Sequence, residues 1–199
     1  MSTRTESLWR ATHPVRGFSP LAGDLLADVA IVGGGVSGLT AAVILSREGK
    51  RVVLVECDRI GSGETGNTTS HLTEAVDGRY HRLAKDFGVD ATRLVAAASR
   101  DAISWIERSI CGAVQCGFQR LPGYLYTERE SDLGWLADEL DAARQAGCDV
   151  EWDDRAPAPF DTRGAIRWNN QGQVHATAYL EALLTQALGH GVQIGRAHV

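Results

Sequence analysis

Gly33-Gly34-Gly35-Val36-Ser37-Gly38 has the spacing GxGxxG, and a carboxylate, Glu56, follows 18 residues after its last glycine. That combination is suited to binding a dinucleotide. Gly33 allows a tight turn, Gly35 lets a pyrophosphate approach the backbone, and Gly38 lets a helix pack closely on a sheet. A helix opening at Val36 and Ser37 turns unpaired N–H groups and a positive dipole end toward the phosphates. Glu56 can accept hydrogen bonds from ribose hydroxyls, and its charge disfavours a 2′-phosphate, which argues against NADP. A second polar stretch follows at once: Arg59, then a Gly/Ser/Thr-rich loop, Gly61 to Thr73. The backbone amide of Gly63 and the hydroxyls of Thr65, Thr68 and Thr69 are natural donors to a cofactor longer than one nucleotide. On local grounds a plain surface loop is the alternative. The same loop spells GxxxxGxT from Gly61 to Thr68, a P-loop with Asn67 where the lysine belongs. Without that cation a nucleoside triphosphatase is rejected.

The elements that must position these groups are legible nearby. Asp28–Val32 is a short apolar run suited to a strand buried on both faces, and Val36–Glu48 has helical spacing closed by Gly49 at C′. Arg51–Glu56 is a second buried strand, so the segment reads as a βαβ unit with parallel strands. Residues 1–27 read as a surface arm without a clear period. From about Asp90 a helix is expected with Leu94, Ala98, Ala102, Trp105 and Ile106 on its inner stripe. Gly123–Thr127 reads as a strand, Ser131 as the cap of a helix carrying Leu133, Leu136 and Leu140, and Ala165–Val174 as a hairpin. Thr177 begins a last helix with Leu180, Leu183, Leu184, Ala187 and Leu188 inward. A strand starts at Val192.

Other candidates are weaker. His71 could lie near the far end of such a cofactor but is more simply a surface group. Tyr124 and Tyr126 alternate on their strand, and one could face a pocket; packing is the blander role. His175 reads as helping to start the last helix. Trp105, Trp135, Trp152 and Trp168 read as core or rim, and Arg100-Asp101 and Glu128-Arg129-Glu130 as solvated faces. No catalytic residue and no metal ligand is assigned.

The net charge of −5 and the lack of long basic runs argue against a nucleic-acid partner. No apolar stretch reaches the ~20 residues of a membrane span, and the N-terminus lacks a secretory apolar core. The four cysteines (Cys57, Cys111, Cys116, Cys148) make neither a disulfide framework nor a metal motif, so they are expected to stay reduced in a cytoplasmic protein.

VAIVGGGVSGLTAAVILSREGKRVVLVE, within Asp28–Glu56, resembles the N-terminal FAD-binding segment of the glycine oxidase/D-amino-acid oxidase superfamily. The likeness continues through RIGSGETGNTTSHLT, RLPGYLYT (Arg120–Thr127) and NQGQVHATAYLEAL (Asn170–Leu183). With SLWRATHP (Ser7–Pro14) it is most similar to the subgroup carrying a C-terminal Rieske domain. The chain departs from the pattern at Ala176, where relatives often have proline, a loss of pre-set φ only.

The resemblance implies an α/β fold: a Rossmann-type FAD-binding domain with the beginning of an α+β substrate domain, truncated. The divisions expected are an arm at 1–27, the FAD-binding segment at 28–86, a partial substrate domain at 87–175 and a return to the FAD-binding domain at 176–199. It also implies FAD as cofactor and oxidation of a small amine, amino acid or related substrate by hydride transfer to flavin. A 2Fe–2S cluster would belong to a missing C-terminal domain, since no CxH…CxxH pattern occurs in this chain. The electron acceptor is left open. The alternatives are an NAD-dependent dehydrogenase and an inactive nucleotide-binding fragment. Ile194–Val199, IGRAHV, matches the translation of a common sequencing-library adapter, so the chain is expected to be a fragment, inactive alone.

Overall fold

The computed structural model describes residues 6–112 and 115–197. The start of the expected arm (1–5), the last two residues of the closing hexapeptide (198–199) and the Cys111 side chain lie outside the described residues. The chain forms two compact units. Residues 1–70, 109–117 and 174–199 make the first; 71–108 and 118–173 make the second, inserted into it. The sequence reading sets its divisions at 27/28, 86/87 and 175/176.

In the first unit β1 (Val29–Val32), β2 (Val52–Glu56) and β7 (Gln193–Arg196) form a parallel sheet in the order β1-β2-β7. Val29 pairs with Val52 and Val53 with Gln193, so the expected βαβ unit is present and the last strand runs beside it. The connecting helix α2 (Val36–Arg47) buries Leu39, Ala42 and Val43, and Gly49 follows at φ +78°. Helix α6 (Ala176–Gly189) packs against α2 with Leu180, Leu183, Leu184 and Ala187 fully buried. Burial on both faces holds for β2 but not for β1. Val32 is 72% exposed and Ala30 is open to solvent, so only the face of β1 carrying Val29 and Ile31 is covered.

The arm is more ordered than its composition suggests. It contains a short helix, α1 (Leu8–Thr12), with Ser7 as N-cap accepting from Arg10 N–H at 3.4 Å. Farther on, Leu21 N–H donates to Arg196 C=O and Arg196 N–H to Ser19 C=O, extending the edge of β7.

The second unit is an antiparallel sheet of β3 (His71–Leu72), β4 (Gln119–Thr127), β5 (Val150–Asp153) and β6 (Gly164–Gln173), with β6 pairing all the others. Ala165–Gln173 lies on this one ten-residue strand rather than forming a hairpin of its own; the pairing partners are β4 and β5. Helices α3 (Tyr80–Phe87), α4 (Val89–Trp105) and α5 (Leu133–Gln145) complete the unit. Its core gathers Tyr80, Ala96, Leu136, Leu140, Ala143, Ile166 and Trp168.

Four further expectations are corrected here. Helix α4 buries Thr92, Ala96 and Ile103 and leaves Leu94, Ala98 and Ala102 exposed. The buried face is rotated from the expected stripe and mixes a threonine and an alanine with one large residue, Ile103. Ser131 does not cap α5: a 3-10 turn, Glu130–Asp132, leads in, Asp132 is the N-cap residue, and the Ser131 hydroxyl donates to the Asp132 carboxylate. Arg100 is not a free surface charge but pairs at 3.0 Å with Glu74, which is 3% exposed. Cys57 and Cys148 are free thiols, whereas Cys116 is disulfide-bonded, so a reduced state for all four cysteines does not hold.

Candidate functional site: a glycine turn, an acid and a clasped loop

β1 runs straight into the glycine turn. Gly33 N–H donates to Val55 C=O at 2.8 Å, which holds the start of the turn on β2, and its φ of +105° suits only glycine. Gly38 sits on the first turn of α2, where a Cβ would lie 2.0 Å from the Gly33 carbonyl oxygen. The close helix-to-turn approach read from the spacing is therefore a steric fact.

The ladder of α2 begins with Leu39 N–H donating to Gly35 C=O. The N–H groups of Val36, Ser37 and Gly38 lie ahead of it, as at any helix start. That of Val36 donates to Thr65 Oγ1 at 3.2 Å, and a Cβ on Gly35 would meet the same oxygen at 3.3 Å. Thr65, from the second polar stretch, is thus drawn to the helix N-terminus.

Glu56 closes β2. Its Oε2 accepts from Gly34 N–H at 2.7 Å, and its Oε1 from Asp58 N–H at 2.9 Å and the Cys57 thiol at 3.2 Å. Partial burial works against its charge. The N–H donors of Gly34 and Asp58 outweigh that and hold the carboxyl below its ordinary range. Three donors on a group with about four lone-pair sites leave capacity for a further hydroxyl. Gly34, given no role by the sequence reading, is the residue that locks acid to turn. A Cβ there would sit 2.2 Å from Ile60 Cδ1 and 3.3 Å from Glu56 Oε2.

Arg59 is exposed and lines a cleft of about 640 Å³ with Glu6, Arg10, Pro14, Val15, Asp58 and Ser62. Beyond it Gly63 precedes a 3-10 turn, Glu64–Asn67. Thr68 is extended at φ −73°, ψ 160°, where a P-loop would start its helix. Thr68 and Thr69 are exposed, and Thr68 Oγ1 accepts from Ser70 N–H at 3.2 Å. Ser70 escaped the sequence reading. It holds φ +63° without being glycine, and its hydroxyl is buried with no hydrogen-bond partner among the described residues. Strained backbone and an unsatisfied buried hydroxyl together mark functional loops more often than structural ones. No local sequence signal distinguishes it from the serines and threonines around it.

The structure joins these residues in pairs: Gly38 meets Gly33, Thr65 meets Gly35 and Val36, and Glu56 meets the turn through Gly34. His71 is an exposed residue opening β3 in the second unit, its ring 3.3 Å from the position a Gly123 Cβ would take. Tyr124 and Tyr126 pair across β6 with Arg167 and Ala165, and Tyr126 packs on Phe160 at 5.5 Å. His175 is the N-cap of α6, its side chain accepting from Ala178 N–H at 3.4 Å, as the sequence suggested.

Residues 28–199 match the protein family described as FAD dependent oxidoreductase. The chain belongs to that family. A Bacillus subtilis protein named putative Rieske 2Fe-2S iron-sulfur protein YhfW is 32% identical over 190 residues, covering 95% of this chain and 37% of its own. Probable oxidoreductase OrdL of Haemophilus influenzae is 25% identical over 195 residues, covering 89% and 43%. Among solved structures, glycine oxidase from Bacillus cereus matches with a TM-score of 0.61 at 22% identity, covering 86% of this chain and 46% of that one. An L-amino acid deaminase from Proteus myxofaciens gives 0.70 at 14% identity over 98% and 42%. At these identities the structures speak for the fold alone. The chain spans about two-fifths of the length of the relatives it matches.

The residues present suit the family's cofactor. A glycine cradle that a Cβ would narrow, helix N–H groups ahead of the ladder, an ionised acid with spare acceptor capacity and an orphaned buried hydroxyl are donors and space for a dinucleotide. Among the described residues, no cluster of His, Cys, Asp or Glu could hold a metal ion, and no helix is long and apolar enough to cross a membrane.

Proposed function

We propose that this chain is the FAD-holding part of an oxidoreductase acting on a small amine, amino acid or related substrate. The observation that carries it is the pairing of Glu56 with Gly34 N–H at 2.7 Å beside the open N-terminus of α2. There one acid both shapes the glycine turn and presents charge to a ribose. Gly33, Gly35 and Gly38 give the pyrophosphate room. Val36 and Ser37 contribute helix N–H groups. Arg59, Gly63, Thr65, Thr68 and Thr69 line the path of the cofactor's second half. When bound, the flavin would accept the hydride lost from a carbon bearing an amine or hydroxyl. The residues of this chain bind and orient it. Family membership supports the oxidoreductase reading, and the substrate class is the one that the family resemblance implies. The Bacillus relative's name supports an iron–sulfur domain in a longer protein as the electron acceptor.

Titrating the protein with FAD and following flavin fluorescence tests the reading. Glu56→Ala should weaken binding by about 1–3 kcal/mol, the loss of charge-assisted hydrogen bonds. Equal affinity for FAD in Glu56→Ala, or binding of NAD in preference to FAD, overturns it.

A further inference from the structure

Trp9 and Arg10 lie on α1, more than 50 residues before the loop they touch. Trp9 Nε1–H donates to Thr68 C=O at 2.7 Å. The Arg10 guanidinium donates to Gly61 C=O at 3.2 Å, to Ser62 C=O, and at 3.4 Å to Gly63 C=O. Gly66 is where the guanidinium passes: a Cβ there would meet Arg10 Nε at 2.6 Å and the Gly61 carbonyl oxygen at 2.3 Å. Two side chains of one short helix thus hold four carbonyl oxygens across the stretch that carries Gly63, Thr65 and Thr68.

The helix is itself fastened to α6. Thr177 Oγ1–H donates to Trp9 C=O at 2.7 Å, and the Trp9 ring meets the His175 ring edge-on at 5.0 Å. A relay runs from Ala178 N–H to His175 Nδ1, from His175 Nε2–H to Thr12 Oγ1 at 2.8 Å, and from the Thr12 hydroxyl to Leu8 C=O at 2.6 Å. A backbone N–H can only donate, so Nδ1 accepts from Ala178, and the neutral ring carries its proton on Nε2.

We propose that α1 is a clasp that sets the shape of the cofactor loop, with Arg10 and Trp9 as positioning residues. The inference rests on the FAD reading above. The physical step is peptide geometry. In a trans peptide the C=O and the following N–H point opposite ways. Carbonyls of Ser62 and Gly63 turned onto a guanidinium therefore turn the N–H groups of Gly63 and Glu64 away from it, as donors for an anion. Arg10 works through the loop rather than by touching the flavin. Its loss should affect the second phosphate and ring half of the cofactor more than the adenosine half.

The experiment compares wild type, Arg10→Ala, Arg10→Lys, Trp9→Phe and Glu56→Ala. Dissociation constants are measured for FAD and for AMP, which needs only the glycine turn and Glu56, and amide hydrogen exchange is followed over residues 61–70. Arg10→Ala should bind FAD about tenfold more weakly with AMP affinity unchanged, a loss comparable to one or two charge-assisted hydrogen bonds. Exchange across 61–70 should quicken, with Arg10→Lys in between. Trp9→Phe keeps the ring and removes a single hydrogen bond; it should quicken exchange at 68–70 alone and serves as the test should Arg10→Ala fold poorly. Unchanged exchange across 61–70 in Arg10→Ala and Trp9→Phe overturns the clasp, whatever the flavin result. A parallel loss of AMP and FAD affinity overturns it too, since the effect would then be general. Loss of FAD binding in Glu56→Ala but not in Arg10→Ala leaves the FAD reading standing and removes the clasp. A wild type that takes up no FAD removes the FAD reading, and the exchange data alone then decide the clasp.

Discussion

Glu56 and Glu139 do the same chemistry in different surroundings. Each carboxylate, borne on a regular element, accepts from two backbone N–H groups far away or just across a turn. Glu56 takes Gly34 and Asp58; Glu139, on α5, takes Tyr80 N–H at 2.9 Å and His81 N–H at 3.0 Å. Helix α3 needs this, because its N-cap residue Arg79 sits at φ +60° and makes no capping hydrogen bond of its own. The difference is in what remains. Glu139 also pairs with His81 Nδ1 at 2.7 Å and is 1% exposed, so nothing from outside the protein can reach it. Glu56 likewise accepts a third bond, from the Cys57 thiol, but it is partly exposed and lies next to a helix N-terminus. A buried acid is a structural pin, and a half-open one beside a glycine turn is open to a ligand.

That contrast is best broken at its stronger end. Glu139→Ala should cost roughly 2–5 kcal/mol, the penalty for buried N–H groups left without partners. Thermal unfolding would register this as a fall of about 5–15 °C, with FAD affinity within twofold of wild type. A large loss of flavin affinity at constant stability would make Glu139 a site residue and erase the distinction. The reverse pattern is expected around Glu56. Gly38→Ala forces a methyl against the Gly33 carbonyl, a backbone clash at 2.0 Å. It should cost about 1–3 kcal/mol in stability by overpacking and lower FAD affinity more than tenfold. Normal flavin uptake by Gly38→Ala would show that the turn is not the phosphate cradle.

The smallest effect sharpens the picture from the arm. Burial first, and then the neighbouring His13, with ring centroids 5.8 Å apart, push the His175 imidazole below its usual range. Folding therefore favours the neutral ring. This contribution is complete above the ordinary histidine pKa of ~6.5 and is lost as pH falls below it toward the depressed value. His175→Asn keeps an N-cap without titrating. The drop in Tm between pH 7.5 and 5.5 should be smaller in that variant than in wild type. An identical drop assigns the titration elsewhere.

What the sequence revealed and what it hid divide along the same line. β1, α2, β2, the tight turn at Gly33 and the close approach at Gly38 come from patterns closed within 30 residues, each enforced by local sterics. His175 as a cap is equally local. The Arg10 contacts, the pinning of α3 by Glu139 and the pairing of Arg100 with Glu74 join residues 26 to 59 apart, where no period or spacing connects them. Ser70 was hidden for another reason, since its strain resides in a backbone angle that a serine does not advertise. The inner face of α4 was misread because it begins with Thr92, a polar residue that an apolar pattern passes over, and holds only Ala96 and Ile103 beyond it.

The pairing of Val53 with Gln193 carries a consequence measured in time. Between the two partners lies the whole second unit, which has its own sheet and core. At ~5–20 residues per second of synthesis, β2 waits roughly 7–28 s for its neighbour. The inserted unit can fold in that interval, while the open flank of β2 stays unpaired beside an already glycine-rich turn. Parallel pairing over such a separation is intrinsically slow, so β2 gains this neighbour late, although the unit that holds it is begun first.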